Sequence, residues 1–273
     1  MIPVTKPFLP NLSKYKSYVD CIFESGSITN NGSLVQELEI RLASHLNVKH
    51  LICVANGSLA LHLSYKALEL KGEVITTPFS FAATAGTLVW EGLEPKFADI
   101  NKHTFNLEPE NIEALITKNT SAIVPVHVFG NPCEVTRINE LADQYKLKVI
   151  YDAAHSFDVK FDGESVLNYG DLSTISFHAT KLFHTIEGGA VITDDDNLAD
   201  KIRFLINFGI QSPSKIQSIG TNAKMNEFEA AMGLCVLDEV HNIKCQREKI
   251  WQIYKENLKD KLVFQEWNSK SDN

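Results

Sequence analysis

The sequence has no apolar run long enough to cross a bilayer, and its opening Met1-Ile2-Pro3-Val4-Thr5-Lys6-Pro7 lacks the apolar core of a secretory signal. Cysteine is sparse and scattered, at Cys21, Cys53, Cys133, Cys235 and Cys245, with no Cys-x-x-Cys spacing. That argues against a disulfide framework and a thiolate zinc site, and it suits a reducing, cytoplasmic compartment. There is no basic run either. A formal net charge of -8 argues against nucleic acid as a partner. Neither G-x-G-x-x-G nor a Walker G-x-x-x-x-G-K-S/T occurs, so the dinucleotide and P-loop readings fall away. No internal repeat or low-complexity block appears.

What is present is a regular alternation. At 273 residues and 44% hydrophobic, the chain can bury one large core, or a large domain with an appendage. Short β-rich runs near 51–54, 73–77, 95–98, 121–126, 147–151, 172–177 and 189–193 are separated by stretches of helical spacing near 33–46, 58–71, 80–91, 108–117 and 134–145. Gly32-Ser33 and Glu108-Pro109 read as helix starts. The pattern predicts an α/β protein with a mostly parallel sheet between helices. After Gly220-Thr221-Asn222 a long amphipathic pattern runs through Met225, Phe228, Met232, Leu237, Val240, Ile243, Ile250, Ile253 and Leu258.

Three positions carry chemistry. Lys181 follows the apolar run Leu172 to Ile175 and precedes Glu187-Gly188-Gly189-Ala190. In a desolvated site its lowered pKa would free an amine for Schiff-base chemistry; otherwise it is a surface lysine. Asp152 ends the run Lys148 to Tyr151, at the strand terminus where open α/β sheets place ligands. A carboxylate there can hold a heteroaromatic N–H⁺, or simply cap a helix. Asn56-Gly57-Ser58 turns from the strand Leu51 to Val54 into a helical pattern, forming either a one-phosphate anion site or an ordinary capped turn. Lysine, strand-end aspartate and phosphate cup on three βα units together specify pyridoxal 5'-phosphate.

The motifs Asn56-Gly57-Ser58-x-Ala60, Pro78-Phe79-Ser80-Phe81-Ala82-Ala83-Thr84, Pro125-Val126-His127-x-Phe129-Gly130, Asp152-Ala153-Ala154-His155, Ser176-Phe177-His178-Ala179-Thr180-Lys181 and Glu187-Gly188-Gly189-Ala190 occur in that order. So arranged, the chain resembles the DegT/DnrJ/StrS sugar aminotransferases from Ile2 to about Leu258. The resemblance implies an aspartate-aminotransferase-like fold (fold type I) with a large cofactor-binding domain and N-terminal arm over 1–222. Residues 223–273 would then hold a long helix and the start of a smaller C-terminal domain, truncated at Asn273.

The resemblance also implies roles for further residues. Gly57 and Ser58 belong to the phosphate cup, Phe81 stacks on the cofactor ring, and Ser176 binds the phosphate. His155 lies beside the phenolic oxygen. Asn222 reaches the phosphate of a neighbouring subunit, which implies a homodimer with composite sites. The family commonly has Arg where Lys224 stands and Gly where Ile186 stands. His178 and His184 flank Lys181 at a spacing that fits no common zinc motif, so no metal is expected.

By the same resemblance, Lys181 holds the cofactor and shuttles protons while Asp152 keeps the pyridine nitrogen protonated. The amino donor is L-glutamate and the acceptor a nucleotide-linked keto sugar, with the product feeding polysaccharide or O-antigen synthesis. Ser27 to Gly32, Val126 to Cys133 and Ile186 to Gly189 are most similar to members that aminate C4 of dTDP-4-dehydro-6-deoxy-D-glucose to give dTDP-viosamine. A 3-keto sugar aminotransferase would share these cofactor residues. A sugar 3-dehydratase of this fold carries histidine in place of the lysine, so Lys181 argues against it. A truncated, inactive cofactor-binding homologue is the reading from another class.

Overall fold

The seven β-rich runs all form strands, and they do so in one sheet. The computed structural model describes residues 5–212 and 214–272, so the first four residues of the N-terminal arm lie outside it. In chain order the strands are β1 (His50–Val54), β2 (Glu73–Thr76), β3 (Glu94–Phe97), β4 (Thr120–Val124), β5 (Lys148–Asp152), the two-residue β6 (Lys160–Phe161) and β7 (Glu164–Ser165), β8 (Leu172–Ser176) and β9 (Gly189–Thr193). A small hairpin follows, β10 (Ile210–Ser212) and β11 (Lys215–Ile216), and a last strand, β12 (Ser271–Asp272), pairs with β6. The helices are α1 (Leu12–Ser25), α2 (Ser33–Leu46), α3 (Gly57–Ala67), α4 (Ala82–Trp90), α5 (Glu110–Glu113), α6 (Val135–Tyr145), α7 (Asp196–Leu205), α8 (Glu227–Leu237) and α9 (Val240–Leu258).

Among the described residues the main sheet has seven strands in the order β1-β9-β8-β5-β4-β2-β3. Pairings from β8 through β3 are parallel, whereas β9 runs antiparallel to both β8 and β1. Two reversals restore direction, so β1 points the same way as β8. The carboxyl ends of β1, β2, β4, β5 and β8 therefore meet at one edge, and β9 starts from it. Side chains alternate between two cores, as strand geometry requires. Leu51 and Cys53 face one core with Leu38, Leu42 and Ile138. Ile52 and Val54 face the other with Leu61, Leu63 and Ile202.

The helical expectations met three departures. The long pattern after Asn222 is broken at Asp238-Glu239 into α8 and α9. Residues Ala230 to Leu237 are buried on all sides of α8, while Ile250, Ile253 and Tyr254 of α9 stay exposed. The stretch 108–117 forms only the one-turn α5. Conversely α1 and α7 escaped the periodicity search, since α1 buries little besides Ile22. Their capping residues were the available signal: Asn11 accepts from Ser13 and Lys14 N–H groups, Gly26 closes α1 at φ 67°, and Asp195 caps α7.

The packing of α8 depends on one buried carboxylate. Glu227, 1% exposed, accepts the N–H groups of Leu34 (2.9 Å) and Val35 (3.1 Å) at the start of α2, whose own N-cap supplies no side-chain bond. A negative group at a helix N-terminus also opposes the helix dipole favourably. Glu227→Ala leaves those donors without acceptors and should lower the free energy of unfolding by about 2 kcal/mol. Glu227→Gln, which keeps one acceptor oxygen, should lose less. Urea denaturation of both variants measures this, and equal midpoints for Glu227→Ala and wild type would show that the carboxylate holds nothing.

Candidate active site

At the shared edge the strand ends enclose a cavity of about 370 Å³. Seven of the eight proposed site residues line it: Gly57, Ser58, Phe81, Asp152, His155, Ser176 and Lys181. Asn222 does not. It lies exposed, bridged to Asn207 on the segment leading into α8. Larger clefts of about 650 and 900 Å³ elsewhere contain none of these groups.

Each side chain arrives by a short connection. The turn after β1 starts α3, with the Asn56 side chain accepting from Leu59 N–H at 2.9 Å. A Cβ on Gly57 would stand 3.1 Å from Ser176 Cβ, and one on Gly189 would stand 2.8 Å from Gly57 N. Only glycine lets the start of α3, the end of β8 and the start of β9 approach this closely. The first turn of α3, Ser58 and Ser176 thus form one small concave surface rich in N–H and O–H donors.

Asp152 ends β5 at 6% exposure. Thr84 of α4 donates its hydroxyl to Oδ2 at 2.7 Å, and Ala154 N–H donates to Oδ1 at 3.1 Å. Burial raises the carboxyl pKa, while these two donors and the charge of Lys181 oppose the rise. Lys181 is half-buried, and burial lowers its pKa against the opposing pull of Asp152. A cation and an anion are therefore held in one poorly solvated space, each destabilised by burial and each favoured by the other.

The loop that carries Lys181 is tied back to its own hairpin. Lys181 N–H bonds His178 O at 2.9 Å, and Ala179 N–H bonds Ile186 O at 2.8 Å. Ile186 adopts φ 76°, a left-handed backbone that a β-branched side chain occupies only under strain. The conformation expected of glycine is kept although the residue is isoleucine. His184 bonds Phe8 O at 2.7 Å through Nε2 and accepts from Ile186 N–H at 3.3 Å through Nδ1, so its ring fastens this loop to the N-terminal arm. Lys224 donates to Asn207 Oδ1 at 3.0 Å and lies 5.1 Å from the Phe208 ring centroid.

Two contributors were not foreseen as site residues, although both lie within the quoted motifs. One is Thr84. The other is His127, buried and stacked on Tyr151 at 4.6 Å. Its Nδ1 accepts from Cys133 N–H at 3.0 Å, which puts the proton on Nε2, an atom without a partner among the described residues. Burial pushes its pKa down to about 3, so the ring stays neutral at physiological pH. No spacing rule could have shown that His127 lines the cavity or that Thr84 supports Asp152 from behind it.

A desolvated lysine, a buried carboxylate at the end of a central parallel strand and a donor-lined helix N-terminus define an aspartate-aminotransferase-like α/β protein. Residues 13–272 match the DegT/DnrJ/EryC1/StrS aminotransferase family, and the chain belongs to it. It is 46% identical over 257 residues to a dTDP-4-amino-4,6-dideoxy-D-glucose transaminase of Shigella dysenteriae, covering 94% of this chain and 70% of the relative. The Escherichia coli transaminase of the same name is 42% identical over 261 residues, with the same coverage. Among solved structures, DesI in the presence of its TDP-sugar product superposes with a TM-score of 0.90 at 40% identity, covering 94% of this chain and 66% of that one. The chain thus spans about two thirds to 70% of the length of these proteins.

The electrostatics of Asp152 give a test. Its folded pKa is raised, so the folded state holds the proton more tightly than the unfolded chain, and stability falls as pH rises from the unfolded value through the folded one. In cofactor-free protein, Asp152→Asn should therefore match wild type below the ordinary carboxylate pKa of about 4 and be more stable than wild type at pH 7. Thermal unfolding at both pH values checks this; a variant less stable only at pH 7 would mean that the charge is structural.

Proposed function

We propose that the protein is a pyridoxal phosphate-dependent aminotransferase that moves the amino group of L-glutamate to C4 of dTDP-4-dehydro-6-deoxy-D-glucose. The observation that carries this reading is the convergence of Lys181, Asp152 and the Gly57-Ser58/Ser176 donor surface on one cavity. The identity to transaminases that make dTDP-4-amino-4,6-dideoxy-D-glucose supports the choice of sugar.

The residues fit the cofactor. Asp152, buried and already accepting two hydrogen bonds, suits a pyridinium N–H⁺ as the partner that would offset its desolvation. The helix α3 N-terminus with Ser58 and Ser176 suits a phosphate. Phe81, 81% exposed, has a ring face free for stacking. His155 stands beside it on the cavity wall, next to where a phenolic oxygen would lie. Bound there, pyridoxal phosphate supplies a carbonyl for amines and an electron sink for the carbanion formed at the donor's α-carbon. Lys181 Nζ, whose lowered pKa makes the neutral amine accessible, would act as the base that takes the proton from that α-carbon and, in the second half-reaction, as the acid that protonates the sugar at C4. Asp152 would keep the ring nitrogen protonated.

The reading includes a homodimer in which Asn222 completes the partner's phosphate site, because Asn222 is exposed and outside its own cavity. It places the reaction in the cytoplasm, in precursor synthesis for a surface polysaccharide such as an O-antigen. No helix among the described residues is long and apolar enough to cross a membrane.

Borohydride should fix the cofactor onto Lys181, and peptide mapping that found the adduct on another lysine would remove the assignment. Lys181→Ala should retain cofactor without a reducible bond and lose turnover. Asp152→Asn should cut the rate by orders of magnitude, at roughly 1.4 kcal/mol of barrier per tenfold, with cofactor retention less affected. Asn222→Ala should weaken cofactor retention by about ten- to a hundredfold. Mixed with Lys181→Ala subunits, it should regain part of the activity, since one site of the heterodimer is intact; no regain, together with a monomer in sedimentation, would place Asn222 outside any shared site.

A further inference from the structure

A second cavity, of about 320 Å³, adjoins the first and shares Phe81, Val126 and His155 with it. Its remaining wall is Pro78, Phe79, Ser80, Val128 and Phe129, so every lining side chain but Ser80 and His155 is apolar. The aromatic rings form a connected set. Phe129 lies flat on His155, with centroids 6.2 Å apart and planes at 8°, and meets Phe79 edge-on at 6.3 Å. Phe79 in turn leans on Phe105 at 5.5 Å.

Phe129 is held in place against its own preference. Its φ of 57° is left-handed, and more than half of its surface is exposed, so the core does not require the ring to be there. The backbone around it is fixed by Asn106, a buried side chain that accepts Val128 N–H at 2.9 Å and donates to Asn131 O and Pro132 O at 3.0 Å each. Gly130 N–H closes the turn on His127 O at 3.0 Å. Strain that the surroundings enforce, on an exposed aromatic stacked on a residue of the adjoining site cavity, points to the ring's use by a ligand.

We propose that this aromatic chamber is the subsite for the C6 methyl group of the sugar and that Phe129 and Phe79 determine specificity for a 6-deoxyhexose. The proposal rests on the nucleotide-sugar reading. With C4 at Lys181, the two adjacent ring carbons are C3, which bears a hydroxyl, and C5, which bears the methyl group, and of these substituents the methyl suits a chamber walled by apolar side chains. The nucleobase is separated from C4 by the hexose ring and two phosphates and cannot reach that chamber. The carboxylates of L-glutamate do not fit either, since the chamber contains no lysine or arginine. A hydroxyl or carboxylate at C6 would enter without a full set of hydrogen-bond partners, which is how such a wall discriminates.

The test compares dTDP-4-amino-4,6-dideoxyglucose with the analogue that keeps the C6 hydroxyl, as amino donors to the holoenzyme and as ligands in titration calorimetry. Wild type should favour the 6-deoxy compound by roughly 10- to 100-fold in KM and in Kd. Phe129→Ala and Phe79→Ala should each lower that ratio about tenfold, while the half-reaction with L-glutamate keeps its rate and shows the variants to be folded. A wild type that takes both sugars equally, or variants that leave the ratio unchanged, overturns the subsite alone. A parallel loss of the glutamate half-reaction does the same, because the rings would then serve the shared machinery. If wild type runs the glutamate half-reaction but takes neither sugar, the nucleotide-sugar reading falls and the subsite with it.

Discussion

The constraint on which the site depends is the burial of the Asp152 carboxylate at the end of a central strand. An ionised group with 6% exposure is tolerated only where donors and a countercharge meet it. Thr84 reaches it from α4, Ala154 from the turn that follows β5, and Lys181 from the loop beyond β8. Three separate segments must therefore converge on one carboxylate, and the parallel run β8-β5-β4-β2 is what brings their ends to the same edge. The antiparallel β9 is the exception that serves this arrangement. It returns the chain directly beneath the lysine loop, so that loop is short and closed by its own hydrogen bonds.

Local stability is given up throughout this region. Asp152 and Lys181 both have pKa values shifted against their charged forms, and Ile186 and Phe129 sit in left-handed backbone. Residues of those types cost of order 1–3 kcal/mol each in such conformations. The compensation lies away from the site, in two continuous apolar cores and in buried anchors such as Glu227 and Asn106. Ile186 and Phe129 both lie in loops at the carboxyl edge, and Glu227 and Asn106 fix neighbouring backbone through buried hydrogen bonds.

How much of this was legible follows from where each signal resides. The strands were readable because sheet burial on both faces demands unbroken apolar runs, as in Leu51 to Val54 and Gly189 to Ile192. Lys181, Asp152 and Gly57-Ser58 were readable because each terminates such a run. Helix α1 was not, because its inward face is made of the partly covered Tyr15 and Tyr18 and a single buried aliphatic residue, Ile22. The break between α8 and α9 was hidden for the opposite reason: α8 is apolar on every side, so no period marks its end. Thr84 and His127 are ordinary residues in sequence. Their place is a matter of the third dimension, a hydroxyl one turn into a helix and a ring turned under a strand end.

The pairing of β1 with β9 has a consequence for how the molecule comes into being. The Gly57-Ser58 turn follows β1, near the start of the fold, and the lysine loop precedes β9, well over a hundred residues later in synthesis. Hairpin β8-β9 can form early, because its partners are neighbours in the chain, whereas β1 must wait for that hairpin before its inner edge is covered. Closing so long a loop is slow and entropically costly. A chain in which β1 has not yet paired with β9 therefore holds Lys181 apart from the turn at Gly57-Ser58, and the cavity they line is closed only when that pairing forms.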